Sequence, residues 1–324
     1  MKPDLYYCIA AYNEEDHIED CLDSLVHQDF GGNLETIVCL NGCTDKTEEK
    51  VSEAREKYGR LNIRTINSEK GISFAQNAIV QHATNRSVPL LFTDADVTLD
   101  TKCAGILYGE LEENRPLIVA GAWPVPKKSE TMSPWESFLF HVLHVRANFP
   151  EAEVSVNDVS EFKSFVDEHP QPVVSAEFEK KSKIYFHGRA FMVKNADLYN
   201  IPPRGDICDD TYMPNLIHTE HGPGTIRTRY DALAFYKPYT SLREHFKIYR
   251  RIFLDLRHID QTNEAFRESR EMERTRLNWQ YILKQDLPTV AKFLMYAAIT
   301  RIENLCYHIL PKKGLADMWI YKKK

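Results

Sequence analysis

No stretch of the 324-residue chain holds the roughly 18 uninterrupted apolar residues that a membrane-spanning helix needs. A signal peptide is likewise not expected, because the apolar run at 5–12 is short and passes directly into Asn13-Glu14-Glu15-Asp16. Positive charge is in deficit: 41 Lys and Arg against 47 Asp and Glu leave a formal charge of -6, which argues against a nucleic-acid partner. No two of the 7 cysteines stand in Cys-x-x-Cys spacing, which excludes the usual structural zinc and dithiol sites. Cys8, Cys21, Cys39, Cys43, Cys103, Cys208 and Cys306 are scattered, mostly where a small apolar residue would serve. That usage fits a reducing cytoplasm. A content of 43% hydrophobic and 27% charged residues excludes disorder and suits one large globular domain, with or without an appended piece.

What is present begins with Leu5-Tyr6-Tyr7-Cys8-Ile9-Ala10-Ala11, an apolar run of strand length. After it Ile18, Cys21, Leu22, Leu25 and Val26 recur at helical spacing. Asn13 is placed to cap that helix, with acids in its first turn to suit the dipole. The unit repeats: strand 36–40, the turn Asn41-Gly42-Cys43-Thr44-Asp45, then a helix carrying Val51, Ala54 and Tyr58. Strand 63–66, the turn Ser68-Glu69-Lys70-Gly71 and a helix to about Ala83 follow. A strand from Val88, a helix over 99–113 and a strand over 117–120 complete the series. Such alternation predicts an α/β fold with a mostly parallel sheet, helices on both faces and right-handed crossovers. Tyr12, Asn41, Lys70 and Asp94 then all follow the C-terminal ends of strands, the edge where open α/β sheets bind ligands.

At that edge stands Leu90-Leu91-Phe92-Thr93-Asp94-Ala95-Asp96. Two carboxylates one residue apart are hard oxygen donors suited to a divalent cation and the diphosphate it carries. An ordinary polar turn after a strand supplies the same residues.

Taken together, Ala10 to Glu15 (Ala-Ala-Tyr-Asn-Glu-Glu), Asn41 to Asp45, Lys70-Gly71 followed by Ala75 and Asn77, and Asp94-Ala95-Asp96 resemble the family 2 glycosyltransferases. The resemblance covers roughly the first 240 residues. It implies a GT-A fold, Rossmann-like, and an inverting hexosyltransferase-type enzyme that moves a sugar from a nucleotide-sugar donor to an acceptor hydroxyl with Mg²⁺ or Mn²⁺. By this resemblance Ala11, Tyr12 and Glu14 flank the base and ribose, and Asn41 stands where many members carry an Asp. An amide both donates and accepts where a carboxylate only accepts, so uracil is not inferred as the base. Lys70 and Gly71 lie beside the nucleotide, with Gln76 in place of a common Arg. Ala95 belongs to the same donor-binding segment, Asp94 approaches ribose or metal, and Asp96 is the principal metal ligand.

The resemblance continues after Trp123-Pro124-Val125-Pro126, which breaks the strand pattern, and after a helix at 134–147. His141 and His144 lie at i and i+3 on that helix, a spacing that packing or surface histidines share. Residues 151–183 are acidic and irregular, read as an insertion or lid. Over 184–193 the sequence resembles the family's strand-Gly-strand segment. There Gly188 permits close backbone approach, His187 is a further metal-ligand candidate, and Arg189 would meet the diphosphate or an anionic acceptor. Asp209 and Asp210 resemble the acidic pair that supplies the catalytic base: Asp210 as base, Asp209 as the neighbour that shapes the site, with Asp206 as rival. A carboxylate is needed because a sugar hydroxyl must lose its proton as it attacks. The same two acids also suit a helix N-terminus.

From Ser241 onward 17 Lys and Arg face 10 Asp and Glu, so the end of the chain is basic while the rest is acidic. Helices are expected at 242–258, 263–284 and 289–309, the first of them studded by Arg243, Lys247, Arg250, Arg251 and Arg257. The Gln-x-x-Arg-Trp motif of processive synthases is absent, which favours single transfer. Met318-Trp319-Ile320-Tyr321 followed by three lysines suits the interface of an anionic membrane, and packing on the catalytic domain or in a homodimer suits it also.

The expected organisation is a nucleotide-sugar-binding half at 1–122, an acceptor half at 123–240 and a basic helical C-terminal extension at 241–324. The partners expected are a nucleoside-diphosphate sugar and a saccharide, lipid-linked or protein acceptor. The location expected is the cytoplasm, at its membrane face. A sugar-phosphate nucleotidyltransferase is the second enzyme reading, although its usual Gly-rich phosphate loop is missing. A non-catalytic scaffold is the third.

Overall fold

A computed structural model of the chain describes residues 2–127, 131–147, 185–202, 209–239, 241–250, 252, 266 and 286–309. Its main sheet has eight strands: β1 (Leu5–Ala11), β2 (Leu34–Leu40), β3 (Ile63–Asn67), β4 (Leu90–Asp94), β5 (Val97–Leu99), β6 (Val119–Pro126), β7 (Ala190–Val193) and β8 (Ile226–Tyr236). They lie in the order β3-β2-β1-β4-β7-β6-β8-β5. Pairings among β3, β2, β1 and β4 are parallel, and β7 is antiparallel to both β4 and β6. Helices α1 (Ile18–Val26), α2 (Thr47–Lys57), α3 (Ile72–His82), α4 (Cys103–Glu113), α5 (Pro134–Ala147), α6 (Asp209–His221) and α7 (Leu287–Ile309) accompany it.

The period of two along a strand divides the core. Leu5, Tyr7, Ile9 and Ala11 of β1 join one apolar cluster with residues of α1, α2 and α4. Tyr6 and Cys8 join the other, with α3, Phe191 and Tyr199. Because both faces are covered, β1 reads as a continuous apolar run rather than an alternating one.

Several boundaries depart from the sequence reading. The helix expected from Leu99 starts at Cys103, because Val97–Leu99 pairs antiparallel with β8. β6 continues through Trp123 and two prolines to Pro126; its register with β7 uses only Val119, Ala120 and Gly121, so the missing proline N–H groups remove no bond from that ladder. Of the strand-Gly-strand segment expected at 184–193, the described residues form one regular strand, Ala190–Val193. Asn13 does not cap α1, which opens at Ile18. It takes a left-handed φ of 55°, a conformation asparagine tolerates, and its Oδ1 accepts from the Thr44 N–H at 2.8 Å. The insertion at 151–183, the rival base Asp206, nearly all of the middle C-terminal helix and the Trp319 segment lie outside the described residues.

Contacts divide the chain into two compact units, one made chiefly of Met1–Pro124 and Ser182–Tyr236, the other of Val125–Lys181 and Lys237–Tyr321. The second has its own core, in which Phe138, Leu139 and Val142 of α5 meet Phe293 and Tyr296 of α7. His245 is fully buried there, ringed by Tyr249 and Tyr296 at centroid distances of 4.5 and 5.4 Å. Its Nε2 lies 3.6 Å from the equally buried Glu303 Oε2. Burial pushes the Glu303 carboxyl up to about 7. The folded state thus keeps a proton that the unfolded chain releases from about pH 4.3 upward, so stability falls as pH rises from there to about 7. Glu303→Gln is expected to remove that slope: chemical unfolding at about pH 5 and about pH 8 should show wild type losing on the order of 1–3 kcal/mol between the two and the variant markedly less.

Candidate active site

The order β3-β2-β1-β4 reverses direction at β1, and in such sheets the crevice opens outside the carboxyl ends of the strands at the reversal. Register sets Ala10 beside Asp94. The Ala11 carbonyl accepts from the Asn41 N–H at 2.8 Å, which draws the end of β2 to the same edge. On the other side Thr93 pairs with Ala190 and the Asp94 N–H donates to the Arg189 carbonyl at 3.0 Å. Ala95 is 2% exposed and packs in the core between the two partly exposed acids.

Burial, reinforced by the charges of Asp96, Asp209 and Asp210, pushes the Asp94 carboxyl well above the usual aspartate range, against the opposing pull of the Arg189 guanidinium. Burial and then the same two strand-end acids, with Glu14, likewise raise the Cys21 thiol. Asp94, Asp96, Asp209, Asp210 and Arg189 therefore share one electrostatic neighbourhood, although the first and third acids are 115 residues apart by their numbers.

The β1–β3 side is stitched by side chains. Lys70 Nζ donates to the Tyr12 hydroxyl at 2.8 Å and lies 4.2 Å from its ring centre. Asn41 Oδ1 accepts from the Gly71 N–H at 2.8 Å; since an N–H only donates, this fixes which way the amide points. Gly71 has φ 141° and ψ 138°, a region open to glycine alone. The Glu14 N–H donates to Thr47 Oγ1 at 2.8 Å, and its carboxylate meets His17 Nδ1 at 3.1 Å. Asp45 performs turn chemistry: burial opposes its charge, but bonds from the Thr47 hydroxyl and N–H and from the Glu15 N–H hold it below the usual range.

Across the edge, a Cβ at Gly188 would stand 3.1 Å from Asp210 Cβ and 3.2 Å from Asp209 Oδ1, so the backbone passes directly against the acidic pair that opens α6. Arg189 stacks on Tyr236, 3.6 Å from its ring centre. Its guanidinium donates to His187 Nε2 at 2.9 Å, and His187 Nδ1 lies 3.9 Å from Asp210 Oδ2. The Arg189 N–H also donates to His187 Nδ1 at 3.4 Å, so Arg189 meets both ring nitrogens of this metal-ligand candidate. Among the described residues no group of three or more His, Cys, Asp or Glu side chains forms a metal cage. Magnesium-type sites at diphosphates use one or two carboxylates, with phosphate and water completing the shell. Asp94 and Asp96 fit that sparser donor set, and the acid-rich neighbourhood has a charge deficit that a cation would relieve.

Two members of the site escaped the sequence reading. Tyr199 and Tyr236 sit in no recognisable motif, and only the pairing of distant strands brings them here. Gln76 stood out solely as the residue in place of an arginine; it donates from Nε2 to Asp209 Oδ2 at 2.6 Å.

Residues 6–166 match the sequence model of glycosyl transferase family 2. The chain belongs to this family. Over 135 residues, 42% of the chain, it is 28% identical to glycosyltransferase GlyA of Streptococcus pneumoniae. Over 116 residues, 35% of the chain, it is 30% identical to the poly(ribitol-phosphate) beta-glucosyltransferase of Bacillus spizizenii. Each match spans only 18% of the relative's length. The fold is GT-A. Mannosyltransferase PcManGT of Pyrobaculum calidifontis, solved with GDP-Man and Mn²⁺, aligns with a TM-score of 0.57 at 17% identity, over 98% of this chain and 84% of its own. S. aureus TarS aligns at 0.50 and 13% identity, over 97% and 55%.

In this family 2 glycosyltransferase the crowded acids carry a cost in stability when nothing neutralises them. Asp94→Asn is expected to raise the melting temperature in EDTA, by about 2–4 °C per kcal/mol of repulsion and burial cost removed. Added Mn²⁺ should then stabilise the variant less than wild type.

Proposed function

We propose that the protein is a metal-dependent inverting glycosyltransferase that makes a single transfer from a nucleotide-sugar donor to an acceptor hydroxyl. The observation that carries this reading is the shared neighbourhood of Asp94 and Asp96 at the strand-order reversal with Asp209 and Asp210 at the start of α6. The donor's nucleoside lies along Ala11, Tyr12, Glu14, Asn41 and Lys70-Gly71, and its diphosphate reaches Asp94-Ala95-Asp96. Arg189 is the nearby cation for diphosphate or an anionic acceptor. Asp96, with Asp94, would hold Mg²⁺ or Mn²⁺, which when bound neutralises the charge of the departing nucleoside diphosphate.

Asp210 accepts the proton of the acceptor hydroxyl as its oxygen bonds to the anomeric carbon. The anomeric C–O bond to the diphosphate breaks in the same displacement, and its electron pair leaves with the nucleoside diphosphate. One displacement inverts the anomeric centre. Gly188 leaves room for Asp209 and Asp210 to close on the acceptor, and Asp209 shapes the acceptor side.

The test is nucleoside-diphosphate release from a panel of UDP-, GDP- and other nucleotide sugars with Mn²⁺ or Mg²⁺. Asp210→Asn is expected to lose about 10²–10⁴ in kcat, the usual worth of a positioned base. Asp96→Ala should lose activity together with the Mn²⁺-dependent thermal shift given by nucleoside diphosphate. Full turnover by both variants would sink these assignments, and pyrophosphate release in place of nucleoside diphosphate would favour the nucleotidyltransferase reading.

Acceptor supply at the cytoplasmic face of a membrane is the second part of the proposal. Among the described residues no helix is long and apolar enough to cross a bilayer. One face of α7, however, exposes Leu287, Leu294, Met295, Ile302 and Leu305 at 81, 47, 51, 56 and 61%, with Arg301 exposed beside them. An apolar face with Arg301 beside it, and the exposed Asp286 only at its start, suits in-plane contact with anionic lipid. Flotation on anionic liposomes should be lost, with melting temperature kept, when Leu294 and Ile302 both become Glu. Unchanged flotation, or a loss of dimer mass in sedimentation instead, would remove the membrane contact.

A further inference from the structure

We infer that Tyr199 and Gln76 form a buried positioning relay for the acidic pair, a role that rests on the transfer proposed above. Asp209 accepts only, so Gln76 must turn its Nε2 toward Asp209 Oδ2, 2.6 Å away. Gln76 Oε1 then faces the Tyr199 hydroxyl, which must donate to it at 2.9 Å. Every bond in the chain Tyr199 to Gln76 to Asp209 therefore has a fixed direction. Gln76 is 3% and Tyr199 1% exposed, so water does not compete along the relay.

The far end is anchored in the core. The Tyr199 ring stacks on Phe92 at 4.9 Å and lies against Phe191 at 5.7 Å. Phe92 belongs to β4, two residues before Asp94, and Phe191 belongs to β7, two residues after Arg189. The strand that carries Asp94 thus braces the tyrosine whose hydroxyl orders Asp209. On the other side a side chain at position 188 would crowd the carboxylate, since a Cβ there would stand 3.2 Å from Asp209 Oδ1. Held by the amide, the Asp209 carboxylate keeps one orientation, which leaves Asp210 beside it for the acceptor. A neutral amide orients Asp209 without adding a cation to the acceptor side, which an arginine or lysine at 76 would do.

Gln76 and Tyr199 are accordingly positioning residues, and three variants test them: Gln76→Met, close in shape without the amide; Tyr199→Phe, which keeps the ring stack; and Asp209→Ala. Gln76→Met is expected to lower kcat about 10–100-fold, the scale of a small misplacement at a reacting centre, with the donor KM within about twofold. Tyr199→Phe should lower kcat by about 3–10-fold, and the double variant should be no worse than Gln76→Met alone. In the Asp209→Ala background, Gln76→Met should have no further effect on kcat. Because a fold defect would lower the melting temperature and the active fraction instead, both are measured alongside, and an unfolding double-mutant cycle between Gln76→Met and Asp209→Ala should also be non-additive. Wild-type kcat in Gln76→Met, or additive losses in these cycles, would overturn the relay while the glycosyltransferase reading stands. A wild-type chain that releases no nucleoside diphosphate from any donor would overturn that reading, and the relay's catalytic purpose with it.

Discussion

The site depends on one constraint of topology. β1 and β4 are parallel neighbours, but the chain leaves β1 toward β2 and reaches β4 by crossing back from β3. The segments that follow the two strands therefore diverge, and a crevice opens between their carboxyl ends. Everything with chemistry in the first unit is tied to that opening by backbone. Ala10 faces Asp94 in register, Ala11 holds the start of the Asn41 turn, and Arg189 is hydrogen-bonded to Asp94 through its own carbonyl. Two rigid parallel strands, buried on both faces, fix these positions more tightly than free loops would.

Placing a carboxyl there is expensive, and the sequence keeps it so. Asp94 is raised by burial first and by three further acids second, and the neighbours that could ease it are used sparingly. Lys70 is turned to Tyr12, Arg189 divides itself between Tyr236 and His187, and the group bonded to Asp209 at position 76 is a neutral amide. Arg189 opposes the shift of Asp94 without cancelling it. A raised carboxyl gathered with further acids at one sheet edge marks a candidate functional site on physical grounds.

How much of this was legible in the sequence follows from contact distance along the chain. β1 to β4 and their helices announced themselves through apolar periods, and the turns after them carried the residues that the family shares. Val97–Leu99 was missed because three residues give no period. β8 went unread although Arg227, Arg229 and Asp231 fall on every second position along it; two arginines and an aspartate are costly to place in a sheet unless paired, and Arg229 pairs not only with Asp231 but with the distant Glu110, which no local pattern reveals. Asp45 was legible as a turn residue while Asn13 was misread as a helix cap, and neither partner was visible: Asn13 serves the β2–α2 turn, and Asp45 accepts from the Glu15 N–H in the β1–α1 turn. The two turns cross-link each other.

The bond between Gln76 and Asp209 spans 133 positions and the one between Tyr199 and Gln76 spans 123. That separation marks a division of labour in the fold. The β1–β4 side is assembled from consecutive strand-turn-helix units, where each turn sits next to the strand that places it. The β7–α6 side is assembled by return: β7 runs antiparallel onto β4 and delivers Gly188 and Arg189, and α6 then starts with Asp209 and Asp210 against them. A side built by return needs a brace that reaches back to the first half, since the backbone that carries its acids comes from a distant part of the chain. Gln76 on α3 is the first-half residue in that brace, and Tyr199, stacked on one strand from each half, is its core anchor. The two halves of this unit are thereby coupled through a hydrogen-bonded path as well as through the sheet, and the geometry of the Asp209–Asp210 pair is tied to that of the strand that ends in Asp94.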